Sequence, residues 1–259
     1  MTSVIPSAPV PLSYEEAAVM GQRSMKKHHV AIMIVHWFNA ATWILEVTTG
    51  VALITSRLFS VAPAWFSALV TGVFGSRANL LTFHVALGCL WIALLLPYAI
   101  FGFRNYLRAE MLNFFEEDDR RWLVIRLKLI LKRTKEPLPP QDAYNAGQKA
   151  FALVVWTMVP LVAVSGLVMA FQLVSAAAVG WAVVVHYLAV GAVLSGLLVH
   201  VYMGAVFPEE KPAFFSMITG NVNELFAYRH HFKWWRQVKL EEQAREQAEA
   251  PEVGAPGAP

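Results

Sequence analysis

The stretch Gly180 to Phe207, GWAVVVHYLAVGAVLSGLLVHVYMGAVF, decides the fold. It carries no Asp, Glu, Lys or Arg, and it exceeds the roughly 20 helical residues that cross a hydrocarbon core. His186 and His200 lie fourteen residues apart within it. At about 100° and about 1.5 Å per residue, fourteen steps end about 40° short of four turns and climb about 21 Å. Both imidazoles therefore leave one face, near opposite ends of a membrane-length helix. A polar ring in hydrocarbon needs a partner to offset its desolvation, and neutral imidazole is a strong metal ligand.

Working outward, three more runs reach spanning length: Val30 to Ile54, Asn79 to Phe103 and Ala150 to Ser175. The chain of 259 residues is 57% apolar and 15% charged, with nine Trp, more apolar surface than a soluble domain of that size needs. The expectation is an all-α integral membrane four-helix bundle with cytoplasmic amphipathic helices. Val61 to Gly75 is apolar but short and contains Pro63, so it reads as a half-helix in the interface. The bundle is expected over 30–207, including a cytoplasmic connection at 104–149. It is flanked by an N-terminal arm (1–29), a C-terminal helical segment (208–240) and a disordered tail (241–259) that is polar and poor in aromatics.

Charge placement orients the spans. Of the 21 Lys and Arg, only Arg57 and Arg77 fall in the connection after the first span, and none falls after the third. The positive-inside rule then puts both termini in the cytoplasm, with the first span an uncleaved signal anchor in a bacterial inner membrane. The basic excess is topological, and no nucleic-acid partner is expected. Cys89 is the single cysteine and lies mid-span, which excludes disulfides, cysteine-ligated clusters and covalent c-type haem within this chain.

Two further histidines lie in spans, His36 and His84. The first span runs outward, which puts His36 near the inner leaflet. The second and fourth run inward, which puts His84 and His186 near the outer leaflet and His200 near the inner one. Pairing by depth joins His84 to His186 and His36 to His200, enough for two six-coordinate haems b. Gly50, Gly88, Gly166 and Gly191 are candidates for letting a flat porphyrin approach the backbone, and small-residue helix packing is their plain alternative. His28, His29, His230 and His231 flank the spans beside basic residues and read as interfacial or partner-facing. Glu46 is an acid deep in the first span, ten residues and about 15 Å after His36. An intramembrane acid is a functional suspect. Glu46 is thus a tuning candidate for the outer haem, against the alternative of a hydrogen bond to Thr42 or Thr49.

Two cytoplasmic stretches read as surface helices. Phe114 to Lys135 starts acidic and continues basic and apolar, as a helix on an anionic leaflet does, with Pro137 to Pro140 ending it. Asn221 to Lys239 is aromatic and basic.

His36-Trp37 with Gly50, His84 with Gly88, the YNAGQK stretch Tyr144 to Lys149, His186 to His200 followed by Tyr202-Met203, and Arg229 to Trp235 together resemble the gamma subunit of membrane-bound respiratory formate dehydrogenase. The likeness covers about residues 25 to 240. The arm to Gly21 and the tail from Leu240 are extra, Gly191 is displaced by one position, and Phe207 to Pro212 is more acidic than the family pattern. The resemblance implies a di-haem cytochrome b that relays electrons. They would come from an iron–sulfur beta subunit and a molybdenum or tungsten catalytic alpha subunit that oxidises formate, and pass to a menaquinone or ubiquinone, with a higher oligomer of the complex admissible. It nominates Asn145, Gly147, Gln148 and His200 for the quinone. Read from the residues alone, Asn145 and Gly147 equally begin a helix. A hydrogenase or thiosulfate/polysulfide reductase would use the same kind of cytochrome. A transporter or assembly factor would need more intramembrane acids than Glu46.

Overall fold

The computed structural model describes residues 5–54, 60–102, 116–172 and 174–249. Arg57, the first part of the 104–149 connection and residues 250–259 lie outside them. The chain divides into two compact units.

The first unit, 28–114 with 150–220, holds the apolar helices. Helix α2 runs Val30–Leu53, α3 Ala64–Val73 and α4 Arg77–Gly102. Helix α6 runs Ala146–Phe171, its first turn belonging to the other unit, and α7 runs Ala176–Val201. Among the described residues, four of these are long and apolar enough to cross a membrane, at the expected places. They keep most of their surface exposed, with Ile34, Leu94, Val164 and Leu188 pointing outward. In lipid such faces cost nothing, while every backbone polar group is satisfied inside its own helix. Pro97 and Pro160 sit within α4 and α6 without ending them, as membrane helices tolerate.

Helix α3 is the expected short helix. Its Val70 is buried with Ala52 and Leu80, flanked by Phe66 and Phe74, and the Arg77 guanidinium donates to the Leu53 carbonyl. Helices α2 and α4 are joined lower down by Trp91, whose indole N–H donates to Asn39 at 2.8 Å. After α7 the chain makes one π turn, Tyr202–Val206, closed by Phe207 N–H on the Tyr202 carbonyl at 2.9 Å. A short 3-10 turn at Pro208–Glu210 leads into α8, Lys211–Thr219. Helix α8 ends on Gly220, whose φ of 78° is the left-handed cap glycine adopts without strain. The Trp37 indole donates to the Met217 carbonyl at 2.7 Å and ties α8 to α2.

The second unit combines 1–27, 115–149 and 221–259. Helix α1 (Tyr14–Gln22) starts with a Ser13/Glu16 capping box. Strand β1 (Ser24–Lys26) then pairs antiparallel with β2 (Asn221–Asn223), a minor departure from an all-helical chain. Helix α5 spans Glu117–Ile130, with three acids in its first turn. It ends before the prolines expected to stop it. Lys132 adopts φ 55°, and Lys132 and Arg133 N–H bond back to the Leu129 and Lys128 carbonyls in a Schellman motif. The buried Asp119 takes the Lys149 ammonium at 2.8 Å. Helix α9 is Glu224–His230, and α10 is Phe232–Glu249. Residues 241–249, expected to be disordered, continue α10. Glu, Gln, Ala and Arg are strong helix formers, and Gln237 with Glu241 and Lys239 with Glu242 pair along the surface.

Candidate functional site

His84 of α4 meets α2 through its Nδ1, which lies 2.9 Å from Thr49 Oγ1 and 2.6 Å from Glu46 Oε2. His186 of α7 meets α6 in the same way, its Nδ1 lying 3.1 Å from Ser165 Oγ and 3.1 Å from the Val162 carbonyl. The two arrangements repeat each other position by position. In each, a hydroxyl precedes a glycine, Thr49-Gly50 and Ser165-Gly166. Each hydroxyl also reaches back one turn, Thr49 to the Leu45 carbonyl at 2.8 Å and Ser165 to the Leu161 carbonyl at 2.5 Å.

That back-bond bears on the protons. A hydroxyl has one hydrogen, and where it is given to the carbonyl the oxygen accepts from the imidazole. The Val162 carbonyl has none to give. This arrangement suits a ring that donates from Nδ1 and leaves Nε2 as the nitrogen for a metal. A metal-bound histidine is held in this way, with its second N–H donating to a carbonyl, hydroxyl or carboxylate.

The glycines admit these rings. A Cβ at Gly50 would lie 3.2 Å from His84 Cε1, and one at Gly166 would lie 3.3 Å from His186 Cε1. At these two positions the space beside the glycine, expected for a porphyrin, borders an imidazole ring. A Cβ at Gly88 would lie 3.6 Å from Glu46 Oε1, and one at Gly191 would meet nothing within 4 Å.

His36 and His200 come together as the second pair, ring centroids 6.2 Å apart. Phe151 stacks on His200 at 5.2 Å, and Trp37 meets His36 edge-on at 5.6 Å. Only Gly196 lets Phe151 in, since a Cβ there would lie 2.6 Å from its ring. Among the described residues no three His, Cys, Asp or Glu gather as a metal cage. Histidines in twos suit a metal whose remaining ligands come from a macrocycle.

Residues 27–220 match the family described as prokaryotic cytochrome b561, three quarters of the chain and all four paired histidines. The chain belongs to that family. Membership in a cytochrome b561 family implies binding of haem b, and the two prepared histidine pairs fit it. This cytochrome is 26% identical over 141 residues to the nitrate-inducible formate dehydrogenase cytochrome b556(Fdn) subunit of Escherichia coli strain K12, covering 53% of the chain. The match spans 63% of that relative's length. It is also 26% identical over 227 residues to the formate dehydrogenase cytochrome b556 subunit of Haemophilus influenzae, covering 83% of the chain and 85% of that relative.

In this cytochrome Asn145 and Gln148 form a reciprocal cap at the start of α6. Gln148 N–H donates to Asn145 Oδ1 at 3.0 Å and Asn145 N–H to Gln148 Oε1 at 2.9 Å. A Cβ at Gly147 would lie 3.3 Å from Asn145 Oδ1 and 3.5 Å from the Trp122 ring. Both amide oxygens are engaged, which leaves the amide NH2 groups as donors. The flanking histidines have structural partners. His29 caps α2 through Ala31 N–H, His230 stacks on Phe226, and His231, fully buried rather than partner-facing, has Nδ1 2.7 Å from the Asp142 carbonyl. Sequence reasoning missed Ser165, Phe151 and Gly196. The signal for the first was present, a hydroxyl residue directly before a glycine in both the first and third spans.

Proposed function

We propose that this chain is the di-haem, quinone-reducing membrane subunit of a formate dehydrogenase complex. The carrying observation is the repeated Nδ1–H anchoring of His84 and His186, together with the facing pair His36 and His200. Haem b supplies one-electron storage at each pair. His84 and His186 would hold one iron, and His36 and His200 would hold the second.

The similarity to formate dehydrogenase cytochrome subunits supports a complex with other formate dehydrogenase subunits, which we read as an iron–sulfur subunit and a molybdenum or tungsten subunit. There formate becomes CO2, one proton and two electrons. The electrons enter at the His84/His186 pair and leave from the His36/His200 pair. A quinone takes two electrons and two protons to become quinol, held by donors from Asn145, Gly147, Gln148 and His200. The amide NH2 groups of Asn145 and Gln148 suit a carbonyl oxygen that gains negative charge on reduction. The charge asymmetry of the connections supports a bacterial inner membrane with both termini cytoplasmic. Proton uptake on that side makes turnover electrogenic without a pump.

The test is a pyridine haemochrome count on the purified chain, followed by quinone reduction in oriented proteoliposomes. Two haems b per chain and protons drawn from the compartment on the side of the termini are expected. One haem or none, or protons drawn from the opposite compartment, overturns the reading.

A further inference from the structure

Glu46 breaks the repeat between the two ligand anchors. Position 46 stands three residues before Thr49, as position 162 stands three before Ser165, and both hydroxyls lie 3.2 Å from the backbone carbonyl at that position. At His186 the second Nδ1 acceptor is that neutral carbonyl. At His84 it is the Glu46 side chain instead, at 2.6 Å, the shortest contact to either ring. The carboxyl group is largely buried, and its other oxygen, Oε1, has no hydrogen-bond partner among the described residues. Its reach thus serves His84 alone.

We propose that Glu46 is a positioning residue that lowers the potential of the His84/His186 haem below that of the His36/His200 haem, so that electrons run downhill between the two pairs. The inference rests on the di-haem reading above. A carboxylate accepting Nδ1–H draws positive charge onto that side of the ring and makes Nε2 a stronger donor. Ferric iron, one charge more positive than ferrous, gains more from a stronger donor and from a nearby negative charge. The neutral carbonyl at His186 gives no such preference, and among the described residues no hydrogen bond reaches the ring of His36 or His200. The gradient is therefore built on one side of one layer by one residue.

The experiment is a spectroelectrochemical titration, at one fixed pH, of the wild-type chain with its haem and of Glu46→Gln and Glu46→Asp. The haems are assigned with His84→Ala and His36→Ala. Glu46→Gln keeps shape and removes charge. It is expected to cut the ferric-over-ferrous preference at the His84/His186 haem roughly tenfold, a rise of about 59 mV for one electron. Haem count and the second midpoint stay as they are. Glu46→Asp keeps the charge but draws it back from Nδ1, and is expected to raise the same midpoint by less than Gln does. Unchanged midpoints in Glu46→Gln overturn the proposal, as does a wild-type His84/His186 haem of higher potential than its neighbour. An Asp variant matching wild type overturns the hydrogen-bonded route. A wild-type chain without two haems overturns the di-haem reading itself, which separates the two failures.

Discussion

The α2/α4 anchor of His84 and the α6/α7 anchor of His186 are two copies of one device that differ in one acceptor. Both place a hydroxyl against Nδ1 and a glycine against the ring edge, and both spend the hydroxyl proton on a carbonyl one turn back. The shared parts fix ring orientation, which a metal-binding histidine requires. The part that differs, a carboxyl oxygen in place of a backbone carbonyl, is free to set electronic character. Geometry and tuning are thus carried by different residues of the same turn, and each can be altered alone.

The strongest way to break the comparison is to remove a ring. His84→Ala and His186→Ala should each reduce the haem content from two per chain to one and leave the same surviving spectrum, while His36→Ala and His200→Ala leave the other. If His36→Ala and His186→Ala delete the same haem, the pairing is wrong. A smaller effect is expected from filling the ring clearances. Leu at Gly50 or Gly166 displaces an imidazole and should lower occupancy of that layer by about tenfold. Leu at Gly191 should leave it unchanged, since nothing lies near its missing Cβ. Equal losses at all three would mean that the glycines serve helix packing. The smallest effect sharpens the difference between the copies. Ser165→Ala leaves His186 with only a neutral carbonyl and should cost about 1 kcal/mol in the haem-retention midpoint on heating. Thr49→Val should cost less, because Glu46 remains as the stronger, charge-assisted acceptor. A larger cost for Thr49→Val would show that the hydroxyl, not the acid, anchors His84.

Much of this site was legible from periodicity. The fourteen-residue spacing in α7 is a statement about helix pitch, and pitch does not depend on what packs nearby. The four spans follow from length and composition for the same reason. The cap at Asn145 was legible as one of two readings. The role of Gly50 was not, because a glycine announces only that something comes close and never what. The continuation of α10 through Glu249 was also misread. Its residues are polar enough for a disordered tail, yet they are good helix formers that extend a helix already nucleated by the buried Phe232 and Trp235.

By itself the sequence determined the membrane class, the four spans and the presence of one acid within a span, since each depends on local composition or on the rise of a single helix. Only the tertiary structure decided that the Glu46 carboxyl group meets His84 rather than the hydroxyl of Thr42 or Thr49, that Gly50 and Gly166 clear imidazoles, and that Phe151 reaches His200 across Gly196. These are contacts between different helices. They depend on the rotation of each helix about its own axis, which is set by the packing of all its neighbours at once and leaves no mark in the spacing of any one segment.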